Sequence, residues 1–177
     1  MKPNRLHHRI LGKALLPLLT TLTAGIIAYP ALGDDAPQFR GTNRDGIYKE
    51  KGLLKTWPSE GPKLLWKIAN RGEAHATPSV ANGRVYGMGL RGSEEVVWAV
   101  DVKSGEEAWS VPIAPGTTLQ AGQGGYGSRS TPTIVGNKLY TLGVSGEFVC
   151  MNAANGKILW HKNLVSDFGG SVPTWGY

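Results

Sequence analysis

Short, partly alternating apolar stretches separated by Gly, Asn and Pro occupy most of the chain after residue 70. Alternation with a period of two is typical of β-strands that bury one face. In residues 77–112 it predicts four strands, near Thr77–Val80, Arg84–Gly89, Glu95–Asp101 and Glu106–Pro112. Asn82-Gly83, between the first two, supplies the positive φ that a two-residue hairpin turn requires. The pattern predicts an all-β fold.

The same unit occurs twice. Residues 77–86 reappear as 131–140, and residues 99–109 reappear as 150–160, at offsets of 54 and 51 residues. A four-stranded unit repeated at roughly 40 to 55 residues is typical of a β-propeller blade. We therefore predict a partial β-propeller with blades at about 75–112 and 129–163.

Each unit ends in Gly-x-x-x-Trp, and the large indole is expected to pack against the neighbouring blade. A small residue at Ala99 or Cys150 is expected to leave room for the adjacent blade's indole, and the glycine to let backbone approach the ring. Two residues after Ala99 or Cys150, an Asp or Asn side chain can accept hydrogen bonds from backbone N–H groups in the turn. The predicted blade-docking positions are Ala99, Asp101, Gly105 and Trp109 in the first unit and Cys150, Asn152, Gly156 and Trp160 in the second.

The segment Ala-x-Asp-x-x-Ser-Gly-x-x-x-Trp at 99–109 resembles the tryptophan-docking repeat of PQQ-like (pyrroloquinoline quinone) propellers, in the quinoprotein alcohol dehydrogenase-like superfamily. The second copy departs from it with Cys150, Asn152 and Asn155. Residues 38–46, Trp57-Pro58 and residues 61–66 resemble the start of the secreted PQQ-like propeller proteins of planctomycetes and related bacteria. The resemblance covers nearly all of residues 36–177.

The resemblance implies a closed ring of about seven or eight blades. The chain supplies two units and a further predicted strand around Leu64–Ile68, and a third unit is expected to begin near residues 172–177. Two or three blades leave open edges and unburied faces. The expectation is an N-terminal fragment, truncated at its C-terminus, that needs missing blades or another chain to close the ring.

The N-terminus has the pattern of an export signal. A basic stretch (2–13) and an apolar stretch (14–28) precede the small residues Ala31 and Gly33, which fit a signal-peptidase site. A transmembrane anchor is the alternative, but the apolar stretch is shorter than the roughly 20 residues that a spanning helix needs. We predict a signal peptide (1–33), an N-terminal segment (34–62) and propeller repeats (63–177), in a periplasmic or secreted protein with no transmembrane anchor after cleavage.

Charge and cysteine content exclude several classes of function. The net charge of +6 is concentrated in the first 33 residues, which hold four of the 19 Lys and Arg residues and no acidic residue. The remainder is nearly balanced and lacks the clustered positive charge that nucleic-acid binding needs. The chain's single cysteine, Cys150, excludes an intramolecular disulfide and is interpreted as a small buried apolar residue.

Four features have candidate chemistry. Residues 122–127 satisfy Gly-x-Gly-x-x-Gly but precede a β unit rather than a helix, so they are interpreted as an inter-blade loop. Arg129, just before an innermost strand, is a weak candidate for binding an anionic ligand or cofactor, with a solvated arginine as the alternative. Glu94-Glu95 is interpreted as a solvated turn, and His161 as an exposed residue on an outer strand.

The leading hypothesis is a non-catalytic scaffold or interaction propeller with protein partners in the cell envelope. It resembles the outer-membrane assembly lipoprotein, although no lipid-anchor cysteine follows the signal. The alternative is a quinoprotein alcohol or sugar dehydrogenase that uses PQQ with calcium and whose catalytic residues lie outside this fragment. That resemblance implies a vicinal cysteine pair, a Trp floor, an Asp base and a calcium site, and one cysteine cannot form the pair. A carbohydrate- or peptide-binding receptor is the third possibility.

Overall fold

A computed structural model describes residues 34–117 and 127–177, which lie within one compact unit, Gly33–Tyr177. These residues form eight strands in two four-stranded antiparallel sheets and no helix, which confirms the predicted all-β fold. The predicted signal peptide and residues 122–126 of the glycine-rich motif lie outside the described residues. In chain order the strands are β1 (Ser79–Ala81), β2 (Arg84–Arg91), β3 (Glu94–Asp101), β4 (Glu107–Pro115), β5 (Thr133–Val135), β6 (Lys138–Leu142), β7 (Glu147–Asn152) and β8 (Ile158–Asn163).

The two sheets share one plan. Each is a meander, β1-β2-β3-β4 and β5-β6-β7-β8, in which every strand pairs with the next in the chain. Tyr86, Ala99 and Trp109 lie opposite one another in the first sheet, and the register shifts directly after Ala99. The second sheet repeats this row and shift with Tyr140, Cys150 and Trp160. The sequence repeat is therefore a repeat of strand register.

The hairpin between β1 and β2 depends on two residues with positive φ. Asn82 has a φ of 52° and Gly83 a φ of 72°. Both central residues of a type I′ turn need this conformation, and Asn and Gly tolerate it best. The turn matches the right-handed twist of the strands and fixes the register of the hairpin.

The core lies between the two sheets. Met88 in β2 receives a hydrogen bond on its Sδ from the Thr141 hydroxyl of β6, at 2.8 Å. Burying an aliphatic or aromatic side chain of this kind stabilises the fold by about 1.5–3 kcal/mol. The buried apolar residues of this interface are Ala81, Tyr86, Met88, Val97, Ala99, Trp109 and Ile113 from the first sheet and Ile134, Leu139, Val149, Met151 and Ala153 from the second unit.

The N-terminal segment runs beside the first strand of each sheet. Ala36 pairs with Val80 of β1 through hydrogen bonds of 2.8 and 2.9 Å, and the Pro37 carbonyl accepts one from the Ile134 amide of β5. The strand predicted around Leu64–Ile68 is absent, and that prediction is wrong. These residues have no neighbouring strand with which to form a ladder, and Trp66 attaches to the first sheet through its side chain alone.

Within the described ranges, no helix is long and apolar enough to span a bilayer.

Candidate functional site

The most specific contact between the sheets is made by Trp109 of β4. Its indole Nε1 donates a hydrogen bond of 3.1 Å to the Ala153 carbonyl in the turn between β7 and β8. Its ring lies on Gly156, where an added Cβ would be 2.8 Å from the Trp109 Cε3 atom. Real Cβ atoms are not found this close to another heavy atom. Gly156, with a φ of 74°, therefore leaves the space that the indole fills.

Trp66 makes the same contact one unit earlier. Its Nε1 donates a hydrogen bond of 3.0 Å to the Val102 carbonyl in the turn between β3 and β4. A Cβ added to Gly105 would lie 2.9 Å from the Trp66 ring. Each indole thus rests on the glycine turn of the unit that follows it in the chain.

Asp101 and Asn152 hold these two turns in shape. The Asp101 Oδ1 atom accepts hydrogen bonds from the amides of Lys103 (2.8 Å) and Ser104 (2.9 Å). The Asn152 Oδ1 atom accepts one from the Ala154 amide at 2.8 Å. The Ser104 amide, followed by that of Lys103, lowers the pKa of the Asp101 carboxyl. The carboxylate therefore remains charged and keeps accepting both bonds in mildly acidic solution.

Ala99 and Cys150 have a different neighbour from the one that we expected. Ala99 lies opposite Trp109 of its own sheet, and Cys150 lies opposite Trp160 of its own sheet. Both are fully buried. The small side chain therefore makes room for the indole of the same blade, because directly opposed residues in an antiparallel pair share a face.

The second sheet has a free face, which we define by Tyr140, Phe148 and Trp160. Tyr140 and Trp160 have ring centroids 6.1 Å apart at 52°, close to the 6.1 Å and 48° of Tyr86 and Trp109. Phe148 meets Trp160 edge-on at 5.1 Å. Trp160 is 39% exposed, whereas Trp109 is 9% exposed. No described residue covers this face as the second sheet covers Trp109.

Arg129 and His161 lie apart from this contact. The Arg129 guanidinium carbon is 5.6 Å from the centroid of the Trp175 ring, a cation–π geometry. The proposed role of Arg129 toward an anion stays a prediction. His161 is exposed on β8, and its Nε2 contacts the Glu147 carboxylate.

Glu95 is a buried carboxyl group that bridges the two units, so its interpretation as part of a solvated turn is wrong. It is 3% exposed, whereas Glu94 is exposed as expected. The Glu95 carboxylate accepts hydrogen bonds from the Ser128 hydroxyl and from the Val144 amide at 3.1 and 3.2 Å. Burial raises the pKa of the Glu95 carboxyl. The hydrogen bonds from Ser128 and Val144 lower this pKa in part, and the negative charge of Glu147 raises it further. Its alternation with Val97 and Ala99, which face the core, was the sequence signal for burial.

We expect Glu95→Gln to change how stability depends on pH. Because the folded pKa of Glu95 is raised above its ordinary value of 4.5, the folded protein binds this proton more tightly than the unfolded chain does. The stability contributed by the protonated form is fully present below pH 4.5 and is lost as pH rises through the folded pKa. Urea unfolding of both proteins across this range should show wild type losing stability relative to the variant. A constant difference would contradict the burial of Glu95.

Residues 41–174 match the family model described as "Outer membrane protein assembly factor BamB" (PQQ_2). The chain belongs to this family. The two sheets are therefore four-stranded blades of a PQQ-like β-propeller, as the sequence predicted.

The chain is also similar to individual proteins. The chain is 28% identical over 153 residues to a quinohemoprotein alcohol dehydrogenase of Comamonas testosteroni, covering 84% of the chain and 20% of the relative. The crystal structure of that enzyme matches with a TM-score of 0.46 and 25% identity, covering 58% of the chain and 15% of the enzyme. The crystal structure of BamB from Moraxella catarrhalis matches with a TM-score of 0.42 and 15% identity, covering 56% of the chain and 26% of BamB. The chain spans about a fifth of the length of the dehydrogenase.

Proposed function

We propose that this PQQ_2 family member is an exported, non-catalytic interaction module of the cell envelope. The observation that carries the proposal is the free face of the second blade. Trp160 there has the same aromatic neighbour and ring geometry as Trp109, which docks on the next blade. The free face is thus suited to another β unit with a glycine turn and an available carbonyl.

The structural use of the repeat motif also supports an interaction role. Trp66 and Trp109 use both their ring faces and their Nε1 atoms in packing. The chemistry of these positions is adhesion between β units, which is what a scaffold needs. The occupant of the free face is a further unit of the same kind, from the rest of a longer chain or from a partner protein.

A photo-crosslinking phenylalanine analogue tests the occupant directly. Phe148 lies against Trp160 and is 36% exposed, and Phe39, exposed in the N-terminal segment, is a matched control. With the analogue at 148, irradiation of intact cells should give one discrete adduct in the envelope fraction, or an internal crosslink in a longer chain. Equal crosslinking from both positions, or none from 148, would contradict the proposal.

Export is a separate part of the proposal, supported by the basic and apolar pattern of residues 1–33. We expect the mature protein to begin near Asp34 and to be released with periplasmic or secreted proteins. Intact mass measurement after cell fractionation checks this. An unprocessed chain in the cytoplasmic fraction would refute export without bearing on the propeller.

PQQ-dependent alcohol or sugar oxidation is the second candidate, favoured by the similarity to the quinohemoprotein alcohol dehydrogenase. One part of the donor set which that reading implies, the vicinal cysteine pair, cannot form in a chain with a single cysteine. The described residues contain no group of three or more His, Cys, Asp and Glu side chains placed to hold a metal ion. Cys150 is buried and lies opposite Trp160 of its own blade. No catalytic step follows from these residues.

Reconstitution separates the two candidates. The chain is incubated with PQQ and calcium, passed through gel filtration and assayed for dye-linked alcohol oxidation. We expect no quinone absorbance in the protein fraction and no activity. Retention of quinone near one equivalent, with alcohol-dependent dye reduction, would replace the scaffold proposal by the enzymatic one.

A further inference from the structure

A cavity of about 370 Å³ lies between the two blades, at the end where the hairpin turns β1–β2, β5–β6 and β7–β8 meet. Arg84, Tyr86 and Asn137 contribute side chains to its wall. The Asn82 side-chain amide closes one rim by donating a hydrogen bond of 3.1 Å to the Gly136 carbonyl. The cavity is built from both blades, and the Asn82 contact also joins them.

Arg84 brings a positive charge to this cavity, and this charge has no salt-bridge partner. Its Nη1 atom donates hydrogen bonds to the Ala153 and Ala154 carbonyls. No carboxylate lies within salt-bridge distance of it among the described residues, unlike Arg71 and Arg91, which both pair with Glu107. A half-buried guanidinium favours the binding of an anion, because backbone carbonyls accept its hydrogen bonds but do not neutralise its charge.

Two neutral donors lie beside the guanidinium. Burial raises the pKa of Tyr86, so its phenol stays protonated at neutral pH. The Asn137 side chain is exposed on the cavity wall and has no hydrogen-bond partner among the described residues. Together with Arg84 they give a set of donors with one positive charge.

The surrounding charges set the class of anion. The Asp35 carboxylate accepts a hydrogen bond of 3.2 Å from the backbone N–H of Asn82 at the cavity rim. One cation with one anion nearby tolerates a single negative charge on a ligand and disfavours two. We propose that this cavity binds a carboxylate group, carried by a small organic acid or by a polypeptide C-terminus.

The second repeat shows that the blade itself does not need these side chains. At the offset of 54 residues, Lys138 takes the place of Arg84, and Gly136 takes the place of Asn82. Both units nevertheless form the same four-stranded sheet. The rigid, bidentate fork of an arginine suits a carboxylate better than a lysine does. Lys138 is therefore the matched control position.

The test titrates the full chain with four probes: propionate, N-acetyl-dialanine, its C-terminal amide, and inorganic phosphate at pH 8. Binding is followed by calorimetry and by the NMR shift of the Asn137 side-chain amide. We expect both carboxylates to bind, with a Kd of about 1 mM, and the amide and phosphate to bind at least about tenfold more weakly. Tighter binding of the peptide than of propionate identifies a polypeptide C-terminus, and equal binding identifies a small acid.

Three variants place the binding at this cavity. Arg84→Gln should weaken carboxylate binding at least about tenfold, whereas Lys138→Gln should leave it unchanged. Asn137→Ala keeps the Arg84 contacts with the carbonyls and should weaken binding about threefold. The proposal is overturned if neither carboxylate binds, if phosphate binds as tightly as propionate, or if Arg84→Gln and Asn137→Ala both bind like wild type.

Discussion

Replacing Trp109 with alanine should lower the free energy of unfolding by about 3–5 kcal/mol, the usual cost of removing a large buried aromatic side chain. Trp109 is 9% exposed, packs on Tyr86 and fills the space over Gly156. The substitution also leaves the Ala153 carbonyl without its indole donor. Urea unfolding followed by circular dichroism measures the effect.

Trp160→Ala is the matched control. Trp160 occupies the same position in its blade and has the same tyrosine neighbour, but it lies on the free face. The chain should lose clearly less, about 1–2 kcal/mol, because no blade is docked on Trp160 and 39% of it stays exposed in the folded protein. Equal losses in the two variants would show that Trp109 does not dock on the second blade.

Gly156→Ala is the second change with a large expected effect, a loss of about 2–5 kcal/mol. An L-residue with a φ of 74° costs roughly 1–2 kcal/mol. The added methyl group also displaces the Trp109 ring and the Val111 side chain, both within 2.9 Å of it, at a further cost of about 1–3 kcal/mol. Thermal and urea unfolding measure the sum.

Gly136→Ala isolates the backbone cost. Gly136 has a φ of 60°, and a Cβ there meets no atom within 4 Å. We expect it to lose only about 1–2 kcal/mol. In a Trp109→Ala background the cost of Gly156→Ala should fall toward this value, because the indole is gone and only the Val111 side chain remains to be displaced. Strict additivity of the two changes would contradict the contact.

The parts of the fold that could be predicted are those for which the sequence contains two copies of the same pattern. Two copies of one pattern placed the turns, the strands and the two glycine–tryptophan pairs, because repetition separates structural constraint from chance. The predicted strand at Leu64–Ile68 failed because strand formation depends on a neighbour. Trp66 keeps its docking contact without one, since an indole needs a glycine turn and a carbonyl but no ladder.

The parts that the sequence could not supply depend on contacts between distant residues. The burial of Glu95 is fixed by Ser128 and Val144, which lie 33 and 49 residues away. The alternation with Val97 and Ala99 indicated that Glu95 faces inward, but these two distant hydrogen-bond partners could not be predicted from the sequence. The contacts of Arg84 could not be predicted from the sequence for a similar reason. Its carbonyl partners lie 69 and 70 residues away, and the cavity exists only when both blades are packed.

The docking of each indole on the following unit is the central claim, and hydrogen exchange of the six tryptophan Nε1–H groups tests it most directly. NMR resonances can be assigned by the loss of one signal in each Trp→Ala variant. The account predicts slow exchange at Trp109 and Trp66, whose Nε1 atoms are bonded to the Ala153 and Val102 carbonyls, and fast exchange at the exposed Trp57 and Trp160. Exchange at Trp109 as fast as that at Trp160 would contradict it.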